Sequence, residues 1–303
     1  MRIGLGLPQL GEHVTADSFK AFCESAERVG FGSLWAQEHL FYPLDPAIGH
    51  ASAPARSIPE PYKSVLSPTE AMAFAAAWTT SLSIGSSVLV GGYHRPVEIA
   101  QRLATLDVMS KGRLIAGFSV GWSEEEHAHM DVNPRARGRR MGELIEAVVA
   151  CWGPDPVTFE GEFFSIPPSI VRPKPLQSPH PPLLSGMWSG PGLARTVALF
   201  DIWNPSLVRG SAANLAAEFA GLNERRSAGQ NPLRLFLRTF PQFPAQPVRS
   251  DGIAALINDV ESAIAVDAEE LIIDCNFWDV VDSPSAWAKV PELLRELVEI
   301  AAR

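Results

Sequence analysis

Short apolar segments alternate with amphipathic helical segments along the whole chain of 303 residues. This order is typical of parallel strand–helix units, because two parallel strands need a crossover, which is usually a helix. The predicted strands are 3–8, 33–37, 82–89, 114–120, 183–185, 201–203, 233–239 and 270–274. The predicted helices are 16–29, one that starts at Pro68, 96–109, 138–152, 192–199, 212–226, 253–265 and 284–302. Eight such units predict an α/β fold, a single (β/α)8 TIM barrel over residues 1–303.

Two segments interrupt the alternation. A proline-rich loop runs from His39 to Ser67, and a loop of that length inside a compact chain is usually functional. Aromatic side chains alternate around Gly161 in a second segment, at about 155–180. This pattern predicts a small hairpin inserted at the barrel rim.

Composition excludes several classes of function. The formal charge is −9 without a long run of Lys and Arg, which argues against a nucleic-acid or anionic-membrane partner. The three cysteines are Cys23, Cys151 and Cys275, and their spacing predicts neither a disulfide framework nor a metal site. Without a charged leader or a long apolar run, the expected location is cytoplasmic. The expected partner is a small-molecule substrate; the oligomeric state stays open, with a homodimer as one alternative.

Functional groups of a TIM barrel lie at the carboxyl ends of the strands and in the loops that follow them. Applied to the predicted strands, this rule nominates 8–10, Glu38, His39, Ser87, Val88, Gly121, Trp122, 186–189, Trp203 and 275–278. The third strand also ends in small residues before Val88, which leaves room for a flat ligand.

The segment from Leu82 to Trp122 carries a family pattern. Its matching residues are Val88-Leu89-Val90, His94-Arg95-Pro96, Thr105-Leu106-Asp107 and Lys111-Gly112-Arg113. With these residues the chain resembles the luciferase-like family of flavin and deazaflavin oxidoreductases. The resemblance extends from Met1 into the last helix and is closest to the branch that uses the deazaflavin coenzyme F-420.

Glu38 and His39 follow the second strand in a segment that resembles the family's AExxGFDSxWxxDHL. A carboxylate and an imidazole at a strand end can fix a tautomer, bind a ring edge or move a proton near neutral pH. The alternative from the residues alone is that Glu38 holds a loop and His39 packs on Phe41. The resemblance implies that His39 and Glu38 are catalytic.

The resemblance also implies a set of cofactor-binding residues: Ser87, Val88, Ser119, Gly121, Trp122, Arg137, Arg140, Gly186, Ser189 and Gly190. It implies a cis peptide between Ser87 and Val88 that supports the cofactor ring. It also implies a phosphate at Ser189 and Gly190, where the start of a helix attracts anions. Met187 departs from the family's double glycine, so the shape of that turn is open.

Arg137 and Arg140 match an RGxRxxE-like family pattern at the start of the fourth helix. Cations at a helix N-terminus are disfavoured by the helix dipole. One interpretation is therefore that these arginines bind an anionic cofactor tail. The other is a solvated surface balanced by the acidic residues 124–126.

The function that the resemblance implies is hydride transfer between coenzyme F-420 and a small organic substrate. The aromatic residues near the mouth favour an apolar or aromatic substrate. Trp122 stands where the sugar-phosphate dehydrogenases of the family carry a catalytic Glu, so that reaction is not expected. Two alternatives stay open: an FMN-dependent monooxygenase, and a cofactor-binding protein with little turnover.

Overall fold

The computed structural model describes residues 1–46, 58–241 and 252–303. Its strands are β1 Arg2–Gly6, β2 Ser33–Ala36, β3 Ser83–Ser86, β4 Leu89–Val90, β5 Leu114–Ser119, β6 Val157–Glu160, β7 Ser165–Ser169, β8 Leu183–Ser185, β9 Ile202–Trp203, β10 Arg234–Thr239 and β11 Glu270–Ile273. Its α-helices are α1 Ala16–Val29, α2 Pro68–Ala77, α3 Pro96–Met109, α4 Glu124–His129, α5 Arg137–Trp152, α6 Gly190–Leu199, α7 Ala212–Glu224, α8 Gly252–Ala265, α9 Pro284–Leu293 and α10 Arg295–Ala301.

Eight strands form one closed parallel barrel. The pairing order is β3-β2-β1-β11-β10-β9-β8-β5, and β3 pairs with β5 to close the ring. Helices cross over between successive strands, as parallel pairing requires. The predicted (β/α)8 barrel is confirmed, and the carboxyl ends of all eight strands therefore face one mouth.

Local signals fix the first helix. Thr15 caps α1 in a reciprocal capping box with Ser18, and Gly30 ends the helix at φ 100°, a left-handed conformation that suits glycine. Phe22 and Cys23 lie on the buried face of the helix, at the predicted helical spacing. The helix thus places its apolar face against the barrel.

Successive side chains along each strand point alternately into and out of the barrel, and this divides the core into two layers. Trp35 and Phe236 pack edge to face inside the barrel, while their chain neighbours Leu34 and Leu237 belong to the outer layer beneath the helices. The inner layer comprises Trp35, Ile115, Leu184, Ile202, Phe236 and Ile272. These side chains fill the barrel, so a ligand has to bind above them, at the mouth.

The third barrel strand is interrupted. It is predicted as one strand, 82–89, but it consists of β3 and β4, which pair in turn with the start and the end of β5. Gly85 pairs with Ile115 and Leu89 with Phe118, so the third strand carries one more residue than β5 over this stretch. That extra residue makes the segment bulge. The Ser87-Val88 peptide within it is cis, as the resemblance implied.

The remaining differences from the predicted elements lie outside the barrel. The expected hairpin at the rim is present, with β6 antiparallel to β7. The single helix predicted over 284–302 is two helices, α9 and α10. Pro291 lies near the end of α9 and lacks the amide hydrogen that a continuous helix uses. The short helix α4 was not predicted.

No α-helix in the part of the chain that the structure describes has the length and apolarity needed to cross a membrane.

Candidate active site

Loops that follow different strands cover the barrel mouth with apolar side chains. We call this set the mouth cluster: Leu10, Ile58, Tyr62, Phe240 and Phe277, with Trp122 packed against it. Tyr62 and Ile58 belong to the long loop between β2 and α2, of which residues 47–57 lie outside the described chain. The described part of this loop therefore returns to the mouth, as a functional loop would.

His39 lies at the edge of the mouth cluster. Its ring centroid is 4.3 Å from that of Tyr62 and 5.2 Å from that of Trp122. The side chain is only 10% exposed, and its Nδ1 lies 3.4 Å from Oε1 of Glu126. Phe41, which would pack on His39 in the alternative interpretation, contacts His129 instead. Two predicted site residues, His39 and Trp122, are thus brought together.

Glu126 fixes the orientation of this imidazole. Its Oε1 also accepts hydrogen bonds from the amides of Leu40 (2.7 Å) and Phe41 (3.2 Å), and its Oε2 accepts one from the hydroxyl of Tyr93 (2.6 Å). Burial alone would raise the pKa of Glu126, but the hydrogen bonds from His39, Tyr93 and Leu40 outweigh it and hold that pKa below its usual range. Because Glu126 is then a carboxylate, Nδ1 of His39 carries the proton between them and Nε2 is left to face other groups.

Glu126 was not among the predicted site residues. It is placed by α4, whose N-cap Ser123 accepts a hydrogen bond from the amide of Glu126. The pattern Ser123-x-x-Glu126 is typical of a capping box, and it could have revealed both the helix and the residue.

Glu38 points away from His39. Its Oε2 accepts a hydrogen bond from the amide of Val90 (2.6 Å) and lies 3.0 Å from Nε2 of His94. The carboxylate is buried beneath β4, so it supports the strand segment that follows the bulge. The structure therefore does not bring the predicted pair together, and a catalytic role for Glu38 stays a prediction.

The bulge at Ser87 is held from the opposite side of the barrel. Nη1 of Arg238, at the end of β10, donates to the carbonyl oxygen of Ser87, and Nη2 pairs with Asp274. The hydroxyl of Ser87 donates to Oδ1 of Asn204 at 2.7 Å. Nε of Arg238 is buried and has no hydrogen-bond partner in the described chain. This polar layer lies above the inner core and forms the floor of the mouth.

Asp274 connects the floor to further strand ends. Its Oδ1 accepts from both nitrogens of Asn276, and Oδ1 of Asn276 accepts from the amides of Gln9 and Leu10 at 3.0 Å each. The strand-end rule nominated the segments around Gln9 and Asn276, but Arg238 and Asp274 were missed. Both lie within or directly at the end of predicted strands, where they were interpreted as part of the fold.

Val88, Ser119 and Gly186 also come together. A Cβ on Gly186 would lie 2.9 Å from Cγ1 of Val88 and 3.6 Å from Cβ of Ser119. The hydroxyl of Ser119 donates to the carbonyl oxygen of Gly186 at 3.4 Å. Glycine is required at 186 for this close approach, and the three predicted cofactor residues form one wall.

Ser189 and Gly190 begin α6 at the same face of the barrel. The hydroxyl of Ser189 accepts from the amide of Gly192 at 3.3 Å, and a Cβ on Gly190 would meet nothing within 4 Å. Pro191 has no amide hydrogen and Ser189 caps the amide of Gly192, so the amide of Gly190 is the one left at this helix start to attract an anion. The open space at Gly190 leaves room for one.

Gly121 does not belong to this wall, because its neighbours are the side chains of Val90 and His127. Its φ of 73° is left-handed, and a Cβ there would lie 3.1 Å from Nε2 of His127. His127 is fully buried, and its ring lies against the backbone of Val120 and Gly121, whose weak hydrogen bonds offset the effect of burial only in part. Burial, followed by the charge of Arg137, lowers the pKa of His127, which is therefore a neutral packing residue.

Arg137 and Arg140 lie in the first turn of α5. Arg140 stacks on Phe164 at 4.6 Å, and its Nε is buried without a hydrogen-bond partner among the described residues. Burial and the nearby charge of Arg95 lower the pKa of Arg140. An unpartnered buried donor on a cation fits an anionic ligand better than a solvated surface.

Taken together, the mouth has a polar floor, an apolar cover and one imidazole whose tautomer is fixed. Such a site can enclose a flat ring, exclude water and move one proton at Nε2 of His39.

Comparisons with known proteins place the chain in a family and agree with its fold. The luciferase-like monooxygenase family matches residues 4–244. An uncharacterised protein of Mycobacterium tuberculosis is 33% identical over 162 residues, 53% of this chain and 57% of the relative. An F-420-dependent glucose-6-phosphate dehydrogenase of Kineococcus radiotolerans is 29% identical over 63% of this chain and 52% of the relative. The oxygenase component of a flavin-dependent trigonelline monooxygenase of Acinetobacter baylyi is 28% identical over 55% of this chain and 42% of the relative.

The matches to these curated relatives thus span about half of each relative's length. A solved monooxygenase of Streptomyces bottropensis shares the fold with a TM-score of 0.78 at 18% identity, and the comparison covers 100% of both chains. Because the family match covers most of its residues, the chain belongs to the luciferase-like monooxygenase family.

Proposed function

We propose that the chain is an oxidoreductase that transfers a hydride between coenzyme F-420 and a small apolar or aromatic organic substrate. The observation that carries the proposal is the pair of His39 and Glu126 at the edge of an apolar mouth. Reduction of a carbonyl, imine or enone needs one hydride and one proton, and this pair supplies a positioned proton group.

The residues at the mouth fit a ring with an anionic tail. The wall of Val88, Ser119 and Gly186 leaves a close approach that a Cβ at 186 would fill. The start of α6 at Ser189 is open, and the amide of Gly190 is left for a phosphate. The buried, unpartnered Nε of Arg140 would gain an acceptor from the same ligand.

When bound, coenzyme F-420 supplies or accepts a hydride at carbon 5 of its ring. Residues of the chain position the proton and exclude water. Glu126 keeps the proton on Nδ1 of His39, so Nε2 exchanges a proton with the substrate's heteroatom. Tyr62 and Trp122 flank the imidazole, exclude water and favour an apolar substrate.

The relatives include both deazaflavin and flavin enzymes, so the choice between coenzyme F-420 and FMN is part of the proposal. A fixed proton group beside the mouth favours hydride chemistry, which consumes or releases a proton at the substrate. A cytoplasmic location and a homodimer stay predictions.

Titration with each oxidised cofactor, followed by absorbance, tests the first half of the proposal. We expect a tight complex with coenzyme F-420 and little uptake of FMN. The second half is tested by loading the protein with reduced coenzyme F-420 and measuring hydride transfer to a panel of enones, imines and quinones. Uptake of FMN with oxygen consumption would support the monooxygenase alternative, and binding without any turnover would support a carrier protein.

A further inference from the structure

Two arginines of β10 pair with acidic residues next to the neighbouring strand β11, one at each end of the barrel. Arg234 begins β10 and pairs with Glu269, which lies just before β11. Arg238 lies near the carboxyl end of β10, at the floor of the mouth, and pairs with Asp274, which lies just after β11. Because side chains alternate along a strand, both arginines lie on the same face as Phe236 of the inner layer.

The two pairs differ in how the guanidinium is used. At the base, Nε and Nη2 of Arg234 donate to the two carboxylate oxygens of Glu269, which is the bidentate geometry that arginine and a carboxylate often adopt. At the mouth, only Nη2 of Arg238 donates to Asp274, and Nη1 donates across the barrel to the carbonyl oxygen of Ser87. Nε of Arg238 is buried without a hydrogen-bond partner among the described residues. The mouth pair therefore does not take the geometry that would suit the ion pair alone.

The negative end of the mouth pair is held by other strand ends. Oδ1 of Asp274 accepts from both nitrogens of Asn276, and Oδ2 accepts from the side-chain nitrogen of Gln37 at 3.3 Å. The positive end lies at the bulge, against Ser87. The pair is thus oriented, and it presents its cation rather than its anion to the bulge side of the floor.

The guanidinium also lies against the apolar cover. Its Cζ is 5.1 Å from the ring centroid of Phe240, a member of the mouth cluster. Burial raises the pKa of Tyr62, another member, and the positive charge of Arg238 opposes that rise. The side chains of Arg238 and Asp274 are only 18% and 1% exposed, so water screens their charges weakly. A flat ligand enclosed between floor and cover therefore lies in the field of this cation.

Hydride transfer changes the charge of such a ligand. When a C–H bond of the substrate breaks, the hydrogen and both bonding electrons form a C–H bond on the ring. The substrate is oxidised, the ring is reduced and gains one negative charge, and the hydroxyl proton of the substrate passes to Nε2 of His39. The reverse reaction removes that charge from the ring. A cation fixed at the floor favours the reduced ring over the oxidised one.

We propose that Arg238 is the charged group of the floor that stabilises the reduced ring of the cofactor, with Asp274 as the counter-charge that limits this effect. The inference rests on the proposed function in one respect, namely that a redox-active ring binds at the mouth. It extends that function by naming the residues that set the reduction potential of the ring. It does not depend on the choice between coenzyme F-420 and FMN, because either ring gains the same charge with a hydride.

The first measurement compares the affinities of the oxidised and the reduced form of coenzyme F-420, titrated without oxygen and followed by quenching of tryptophan fluorescence. In Arg238→Gln we expect the reduced form to lose about tenfold more affinity than the oxidised form. This loss lowers the reduction potential of the bound ring by about 30 mV, because two electrons are transferred. The same titrations are made with oxidised and reduced FMN.

Two further variants separate charge from shape. Arg234→Gln is the matched control, because Arg234 lies on the same strand and also pairs with a carboxylate, but at the base of the barrel. It should leave the ratio of the two affinities unchanged. Arg238→Lys keeps the positive charge without the planar fork of donors, and it should retain most of the ratio.

The partner of the pair gives a shift of opposite sign. Asp274→Asn removes the counter-charge and keeps an oxygen that can accept from Asn276, so the ratio should move in favour of the reduced form. A general loss of structure would not move the ratio in opposite directions for the two members of one ion pair. If Arg238→Gln does not fold, Asp274→Asn and Arg238→Lys give the answer.

Two results would overturn the inference while the proposed function stands. One is an equal loss for both redox forms in Arg238→Gln, which would make Arg238 a support of the bulge alone. The other is an Asp274→Asn variant whose ratio is unchanged or moves toward the oxidised form. If only FMN binds and its ratio shifts as described, coenzyme F-420 is wrong and the inference stands. If the wild type binds neither ring in either redox state, both are wrong.

Discussion

Two carboxylate–imidazole pairs lie near the mouth of the barrel, and they differ in what surrounds them. Glu126 and His39 lie beside Tyr62 and Trp122, at the edge of the apolar cover. The other pair, Glu38 and His94, lies beneath β4, where the carboxylate also holds a backbone amide. The same two functional groups therefore lie at the apolar cover of the mouth in one pair and support the backbone of β4 in the other.

The difference shows how little sequence proximity says about pairing. Glu38 and His39 are adjacent, but successive side chains of an extended segment point to opposite sides. Each therefore finds a partner far along the chain, 56 residues away for Glu38 and 87 for His39. The side of the chain on which each residue lies therefore decides which pair reaches the apolar cover of the mouth.

The largest expected effect comes from removing the imidazole at the mouth. His39→Ala should slow hydride transfer about 10²- to 10⁴-fold, as is usual for a lost general acid–base group, while cofactor affinity changes little. Single-turnover rates with bound reduced cofactor measure this. His94→Ala is the control from the other pair, and it should leave that rate nearly unchanged. Equal rates for His39→Ala and the wild type would make His39 a packing residue.

A smaller loss is expected when the carboxylate at the mouth is neutralised. Glu126→Gln keeps the shape of the side chain but no longer fixes the tautomer of His39, so turnover should fall about 10- to 100-fold. The matched variant Glu38→Gln should change turnover far less. If the two variants slow turnover equally, the distinction between the pairs is wrong.

Substitutions in the pair beneath β4 should lower the stability of the protein rather than its turnover. Glu38→Ala leaves the amide of Val90 and the ring of His94 without their acceptor, so the free energy of unfolding should fall by about 1–3 kcal/mol. Urea denaturation followed by fluorescence measures the change. Turnover per bound cofactor should stay near that of the wild type, and a large loss there would assign Glu38 a catalytic role after all.

The smallest effect concerns an imidazole that has no carboxylate partner. The pKa of His127 is lowered from 6.5 in the folded chain, so below pH 6.5 the unfolded chain takes up a proton that the native chain does not. Stability should therefore fall as the pH drops through this range, by at most about 1.4 kcal/mol per pH unit. His127→Phe should flatten this part of the curve of unfolding free energy against pH. An unchanged slope would show that His127 is not the group responsible.

Much of the fold was predictable because its signals are local. Strand and helix periodicity, the glycine that ends α1 and the serine that begins α6 each depend on a few neighbouring residues. The cis peptide at Ser87-Val88 was implied by the resemblance, but the division of the third strand into β3 and β4 was not predicted. A disturbance of the last helix, which is divided at Leu294, could also have been predicted from Pro291, since proline lacks the amide hydrogen.

The candidate site was predictable only in part. The strand-end rule located His39, Ser87, Val88 and Trp122 at the mouth, because it depends on chain direction alone. The contact of Arg238 with Ser87 crosses the barrel between residues 151 positions apart, and no local pattern encodes it. Glu126 was marked by its capping pattern, but nothing in the sequence indicates that its carboxylate meets His39.

By itself, the amino-acid sequence determined the barrel and the set of strand ends that face its mouth. Both follow from periodicity and chain direction, which are properties of short segments. Only the tertiary structure decided that Glu126 rather than Glu38 orients His39, and that Arg238 supports the floor from the opposite side of the barrel. These are contacts between distant segments, and the closing of the barrel brings them within reach of one another.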